Sequence, residues 1–307
     1  GGSGFANSNV AAIALVNAAG QRLSLSNLHF FVGVNGGFIE DADGNVAGLD
    51  TDDAIGFSVT GASLDLIIVK EAAGTRSWMG LAANVAGMGV HGLPDAFELE
   101  ILNLALRYNG KAADASKLDW AALAALPGDA FGIDGTSLAA ITRATDLSIT
   151  GQLYLNISSF VIVLAGFSID QQSGMAIDDT KGVTIPIGVP GANVLAIRLS
   201  GAYLFVGVDG AINKAGYQNL ANPGTFEEGL EAVGAVGFFV NNANLDLAIV
   251  SEPLAAGGKK WVGVAASIDS LGVTGLPDAF TLKIKDLEFF YNVAASNGSR
   301  MDWKALA

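Results

Sequence analysis

Asp41-Ala42-Asp43-Gly44-Asn45, followed by Asp50, Asp52 and Asp53, is the stretch whose residue types most readily do chemistry. Calcium takes several oxygen ligands, and oxygens at alternate positions of a Gly-containing loop can curl around one ion. Asp41, Asp43, Asn45, Asp50 and Asp52 are therefore the candidate metal ligands, and calcium the candidate cofactor. The glycine is misplaced for an EF-hand and no Glu stands at the twelfth position, so a solvated acidic turn is the competing reading.

Nothing else assembles into a catalytic set. His29 and His91 are the only histidines, and Tyr203 and Thr274 occupy the corresponding places later in the chain. No Gly-x-Ser-x-Gly elbow is present. Gly33, Gly36 and Gly37 follow a strand without a helix after them, so they read as turn glycines with positive φ, not as a dinucleotide loop. Asp119-Trp120 and Asp302-Trp303 would suit a sugar subsite, but their recurrence predicts instead a capped short helix whose Trp plugs the sheet. The expectation is a protein that is not an enzyme.

The elements that position these residues are legible in composition and repetition. Charged residues make up 15% of the 307 and glycine 40 positions, against roughly 25% and 7% in an average protein, which points to a β-rich, turn-rich body. A net charge of −14 argues against nucleic acid and anionic membrane surfaces. Cysteine is absent, and the longest apolar run, 160–167, is far shorter than a membrane-spanning helix. No membrane insertion is expected.

Gly92-Leu93-Pro94-Asp95-Ala96-Phe97 returns as Gly275-Leu276-Pro277-Asp278-Ala279-Phe280, an offset of 183 shared by Trp78 and Trp261, Tyr108-Asn109 and Tyr291-Asn292, and Asp119-Trp120 and Asp302-Trp303. Nearer the start the offset shrinks, so an insertion separates 40–53 from 211–231 and marks an exposed loop of variable length. The domain expectation is a first repeat copy over 1–126 with a closing helix at 116–126, intervening strands over 127–191, and a second copy over 192–307.

Within the strand regions the apolar residues change parity. Leu23 and Leu25 are odd, while Leu28, Phe30 and Val32 are even; the same break separates Ile101 from Leu104 and Ile284 from Leu287. Side chains alternate faces, so both sets share a face only if a bulge or a turn intervenes. Bent strands of about 14 residues or short strands joined by hairpins satisfy this. Ser26-Asn27, Leu102-Asn103 and Lys285-Asp286 are poor two-residue hairpin loops, which favours bent strands. The fold class expected is all-β, antiparallel, with long bent strands in tandem repeats and one short closing helix per unit, arranged as a sandwich, roll or solenoid.

Phe-Val-Gly-Val-(Asn/Asp)-Gly, Leu-Asp-Leu, Gly-Leu-Pro-Asp-Ala-Phe, Tyr-Asn and Asp-Trp together resemble tandem repeats of very large bacterial surface or secreted proteins of the adhesin and hemolysin-like type. The resemblance implies an extracellular, cell-surface array whose partners are neighbouring repeats, another surface protein or a glycan. It does not imply a calcium β-roll, because the Gly-Gly-x-Gly-x-Asp nonapeptide is missing. The leading expectation is thus a non-catalytic structural or adhesive spacer. The alternatives are an apolar-groove module for lipid or another apolar ligand, separated from the spacer by a wide continuous groove, and a carbohydrate-binding module.

Overall fold

The computed structural model describes residues 5–7, 15, 17–72, 74–93, 97–128, 131–186, 191–212, 230–231, 234–277 and 280–306. It contains strands β1 (Phe5–Asn7), β2 (Ala18–Val34), β3 (Gly37–Glu40), β4 (Val46–Asp50), β5 (Ile55–Glu71), β6 (Ser77–His91), β7 (Phe97–Gly110), β8 (Leu147–Ile157), β9 (Val161–Asp178), β10 (Thr184–Ile185), β11 (Ala192–Val208), β12 (Ala211–Ile212), β13 (Leu230–Glu231), β14 (Val236–Ser251), β15 (Lys260–Thr274) and β16 (Lys283–Val293). Among the described residues two short helices, α1 (Trp120–Ala124) and α2 (Trp303–Leu306), complete the regular structure with 3₁₀ turns at Ser137–Ala140 and Leu254–Ala256. The chain is all-β and antiparallel.

Ten strands form one meander in the order β2-β5-β6-β7-β8-β9-β11-β14-β15-β16, and β1 and β10 pair with the end of β9. The boundaries expected at 126 and 191 fall inside this single sheet, which runs on unbroken through the β9–β11 pair. β3–β4 and β12–β13 are separate two-stranded hairpins.

The strands are long and bent. Asn27, Gly61, Asn103, Gly201, Asn242 and Asp286 have positive φ inside β2, β5, β7, β11, β14 and β16, conformations that Gly, Asn and Asp adopt most cheaply. Pairing of β2 with β5 continues on both sides of Asn27, from Leu25↔Leu64 to Phe30↔Val59. Each break is therefore a bulge within a strand, and it keeps both parity classes on one face.

Three expectations need correction. The closing helix is the single turn Trp120–Ala124 rather than 116–126; Asp119 caps it by accepting from Ala122 N at 2.9 Å. Positive φ at the first turn belongs to Asn35, not to Gly33, Gly36 or Gly37; a Cβ on Gly33 would lie 2.0 Å from the Ile55 carbonyl oxygen, so close approach of β5 excludes a side chain there. The repeated Gly-Leu-Pro-Asp-Ala-Phe reads in the sequence as a Pro-Asp turn with Phe97 and Phe280 buried behind it, but Phe97 is only half-buried and Phe280, three residues ahead of β16, is exposed. Pro94, Asp95, Ala96, Asp278 and Ala279 of that turn, and 213–229 of the variable loop, lie outside the described residues.

The core lies on one face of the sheet, here called the covered face. Trp78 and Trp120 are both buried there with Ile67, Val69 and Ala82. Trp120 Nε1 donates to Asn109 Oδ1 at 2.9 Å, Trp78 Nε1 to Ser116 Oγ at 3.1 Å, and Asn109 Nδ2 to the Leu118 carbonyl at 2.9 Å. The same three bonds recur 183 residues later: Trp303 to Asn292 at 3.2 Å, Trp261 to Ser299 at 3.1 Å and Asn292 to Met301 at 2.9 Å. Asn at 109 and 292 thus fixes a Trp and a loop carbonyl with one side chain. Ser116, the other residue type in this stretch that could cap a helix, accepts from the Trp78 indole instead.

Asp179, buried after β9, anchors the second of these assemblies. Its carboxylate accepts from Val183 N at 2.8 Å, Lys181 N at 2.9 Å and, across the fold, Asp302 N at 3.0 Å. Burial opposes its charge, yet the Asp302, Val183 and Lys181 amides outweigh burial and hold the carboxyl below the usual range. A depressed native pKa contributes stability above the unfolded value, near 3.9, and that contribution is lost as the pH falls through the native value. Denaturant titrations should therefore show wild type losing more stability below about pH 4 than Asp179→Asn loses.

Candidate functional site

The acidic residues are divided between two turns. Asp41 Oδ1 accepts from Asp43 N and Asn45 N, both at 2.9 Å, closing the turn between β3 and β4. Asp50 Oδ1 accepts from Asp52 N at 3.1 Å in the turn after β4. Five residues of extended strand separate the turns, roughly 16 Å, so Asp41, Asp43 and Asn45 are not brought together with Asp50 and Asp52. The Asn45 amide holds the exposed Asp41 carboxyl below the usual range. Among the described residues no group of three or more His, Asp or Glu is placed to hold a metal. Calcium held at either turn alone would have to draw on backbone carbonyls and water beside these carboxylates; a Tm that rises when millimolar calcium replaces chelator would show such a site, and an unchanged Tm would set it aside.

His29 Nε2 lies 3.0 Å from Asn27 Oδ1, a local contact beside a bulge. His91 Nε2 lies 2.7 Å from Ser58 Oγ, a pairing invisible in the sequence because the two stand 33 positions apart. A hydroxyl on an imidazole is the start of a nucleophile–base pair. The corresponding positions, Phe239 and Thr274, retain neither group.

The feature that dominates the molecule is the sheet face opposite the core. Directly opposed residues of antiparallel strands share a face, so the register traces rows across the sheet. One row reads Leu25, Leu64, Ala83, Leu106, Ile149, Ile169, Ile197, Leu247, Val264 and Tyr291, one residue from each of the ten strands. All ten are apolar and none is buried. On the other side of the bulges, Leu155, Val163, Leu204, Val240, Leu271 and Ile284 form a second row, and Val32, Phe57 and Val90 a third segment on the same face.

The three buried clusters draw their strand residues from the covered face: Ile67 and Val69 of β5, Ile162 and Leu164 of β9, Phe205 of β11, Val250 of β14. The apolar rows belong to none of them. Ten strands at about 4.8 Å spacing carry this surface over roughly 43 Å. Contiguous apolar patches above a few hundred Å² mark interaction surfaces, and this face has that character, with Leu25 and Tyr291 exposed and the eight residues between them half-buried.

Sequence reasoning identified the strands and their apolar parity but not this open face. Alternation says that one side of a strand is apolar; whether anything lies against it is decided by loops and helices far away in sequence. Here the connections carrying α1, α2 and the 3₁₀ turn at Ser137–Ala140 pack on the side already holding the tryptophans.

Comparison with protein-family models, curated proteins and solved structures returned no match. Among the described residues no helix is long and apolar enough to cross a membrane.

Proposed function

We propose that this chain holds lipid hydrocarbon along its open apolar face. The observation that carries the proposal is the unbroken row from Leu25 to Tyr291, apolar on every strand and covered on none. The mid-strand bulges have a purpose in this reading. Without them the residues beyond Asn27 or Asn103 would turn their apolar side to the covered face, and the lining would stop halfway along each strand.

The energetics suit a carrier. Burying a methylene is worth about 0.8 kcal/mol, so a free acyl chain has every reason to leave water for this face. A chain coming from a bilayer exchanges one apolar environment for another, and the net change is small. Hydrocarbon can therefore enter, move along an unspecific surface and leave again. With little charge on the face, recognition is by hydrophobicity and not by headgroup.

The test is direct. Lipids extracted from the purified protein and identified by mass spectrometry should include acyl-chain species, and delipidated protein should take up a fluorescent phospholipid in native gels. Blank extracts together with no uptake would overturn the proposal. A face-to-face dimer in light scattering that excludes the probe would replace lipid with a second copy of the sheet.

The spacer reading keeps one supporting observation. Among the described residues β2 and β16 are each paired on a single side, and both expose large apolar residues, including Phe30, Phe289 and Tyr291. Such edges suit neighbouring units of a bacterial extracellular array. An array of this kind would join the apolar faces end to end, so the two readings are compatible.

A further inference from the structure

The covered face carries an asymmetry independent of the lipid reading. In the first half, the chain leaving α1 folds back over the sheet as a plug. Ile133, Leu138 and Ile141 are fully buried against Ile67, Ala82 and Trp120. The plug is pinned at several points: Ala121 N donates to the Ile141 carbonyl at 3.0 Å, Asn109 Nδ2 to the Thr142 carbonyl at 3.0 Å, and Asn84 Nδ2 to Ser137 Oγ at 2.6 Å. At its end Lys117 Nζ donates to Asp146 Oδ1 at 2.9 Å, after which β8 pairs with the outer edge of β7.

In the second half no such plug lies over the same scaffold among the described residues. Ala248, Ala265 and Trp303 take the places of Ile67, Ala82 and Trp120, and they line a depression of about 810 Å³ beneath α2. Trp120 is fully buried but Trp303 only partly, and Phe290, in the place of Arg107, is 72% exposed. Arg300 stands where Lys117 does, a cation at the rim. The outer edge of β16, matching the edge of β7 that receives β8, has no strand against it among the described residues.

We propose that this depression and the β16 edge form a socket for a chain segment of the 131–157 kind, entering from the end of α2 as the first plug enters from α1. Three apolar side chains would fill the depression, an aspartate equivalent to Asp146 would meet Arg300, and the following strand would pair with β16. The occupant is inferred from the internal precedent: the same backbone frame, with the same Asn–Trp bonds, already accepts such a segment once. It lies on the face opposite the apolar rows, so failure of either proposal leaves the other standing.

The experiment extends the 307-residue chain after Ala307 with a second copy of residues 125–157. Hydrogen exchange of the β16 amides should slow by about a hundredfold, and Trp303 emission should shift to the blue. Ile133→Asp, Leu138→Asp and Ile141→Asp in the appended copy should abolish both effects. Arg300→Glu should weaken them, and Asp146→Lys in the appended copy should restore them. The proposal is overturned if β16 exchanges as fast as in the parent, if protection survives the triple substitution, or if the extended chain and its triple variant aggregate alike. It is also overturned if the parent dimerises through β16 with Trp303 emission unchanged.

Discussion

Trp120→Ala should destabilise the protein by about 3–5 kcal/mol, the range for emptying a fully buried Trp site. The ring is fully buried, and a Cβ placed on Gly80 would come within 2.8 Å of it. Gly80 is therefore the recess in β6 that admits the indole, so the surroundings cannot close over the cavity without moving the sheet. The substitution also leaves Asn109 Oδ1 without its indole donor, which adds the cost of an unpaired buried acceptor. Trp303→Ala, at the less covered position, should cost less than half as much. Urea denaturation of the two variants checks the ordering, and equal losses would mean that the plug over Trp120 contributes nothing.

Leu106→Asp combined with Ile149→Asp should reduce phospholipid uptake by tenfold or more while leaving Tm within a few degrees of wild type. The two residues oppose each other near the middle of the complete row, with three strands beyond β7 and five beyond β8. A carboxylate there keeps its water only while no hydrocarbon lies over it, and each factor of ten in affinity needs just about 1.4 kcal/mol. The open face makes the substitutions cheap for folding. Ile67→Asp, buried on the covered face, should behave oppositely and unfold the chain, because an ion cannot be buried there unpaired. If Leu106→Asp and Ile149→Asp cost as much stability as Ile67→Asp, the face is covered in solution and the lipid proposal fails.

Much of the frame was readable in the residues themselves. The parity changes placed the breaks at Ser26-Asn27, Leu102-Asn103 and Lys285-Asp286, because alternation is a strict rule and a shift of one position violates it; the positive φ at Asn27, Asn103 and Asp286 picks out the residue within each. Asp119 as a cap and the recurring Trp residues as plugs were likewise local or repeated signals. Gly33 misled because sequence cannot distinguish a glycine needed for positive φ from one needed for an approaching strand. The spatial division of the acidic residues was also hidden: 41–45 and 50–53 are near in sequence, but the intervening β4 is extended and carries them apart. The socket required comparison of two sites that are alike in sequence up to the end of α2 and differ only in what lies over them.

The sequential strand order has a mechanical meaning. In every pair of the ten-strand meander the partners are successive long strands of the chain, so each long strand depends only on its immediate neighbours. A pull applied through β2 and β16 acts across the ladders and breaks hydrogen bonds one at a time, as a zip opens, instead of loading a whole strand in shear. The sheet would give way from its rims inward at low force. A protein with this layout pays out length under tension, and its resistance would come from whatever clasps the first and last strands.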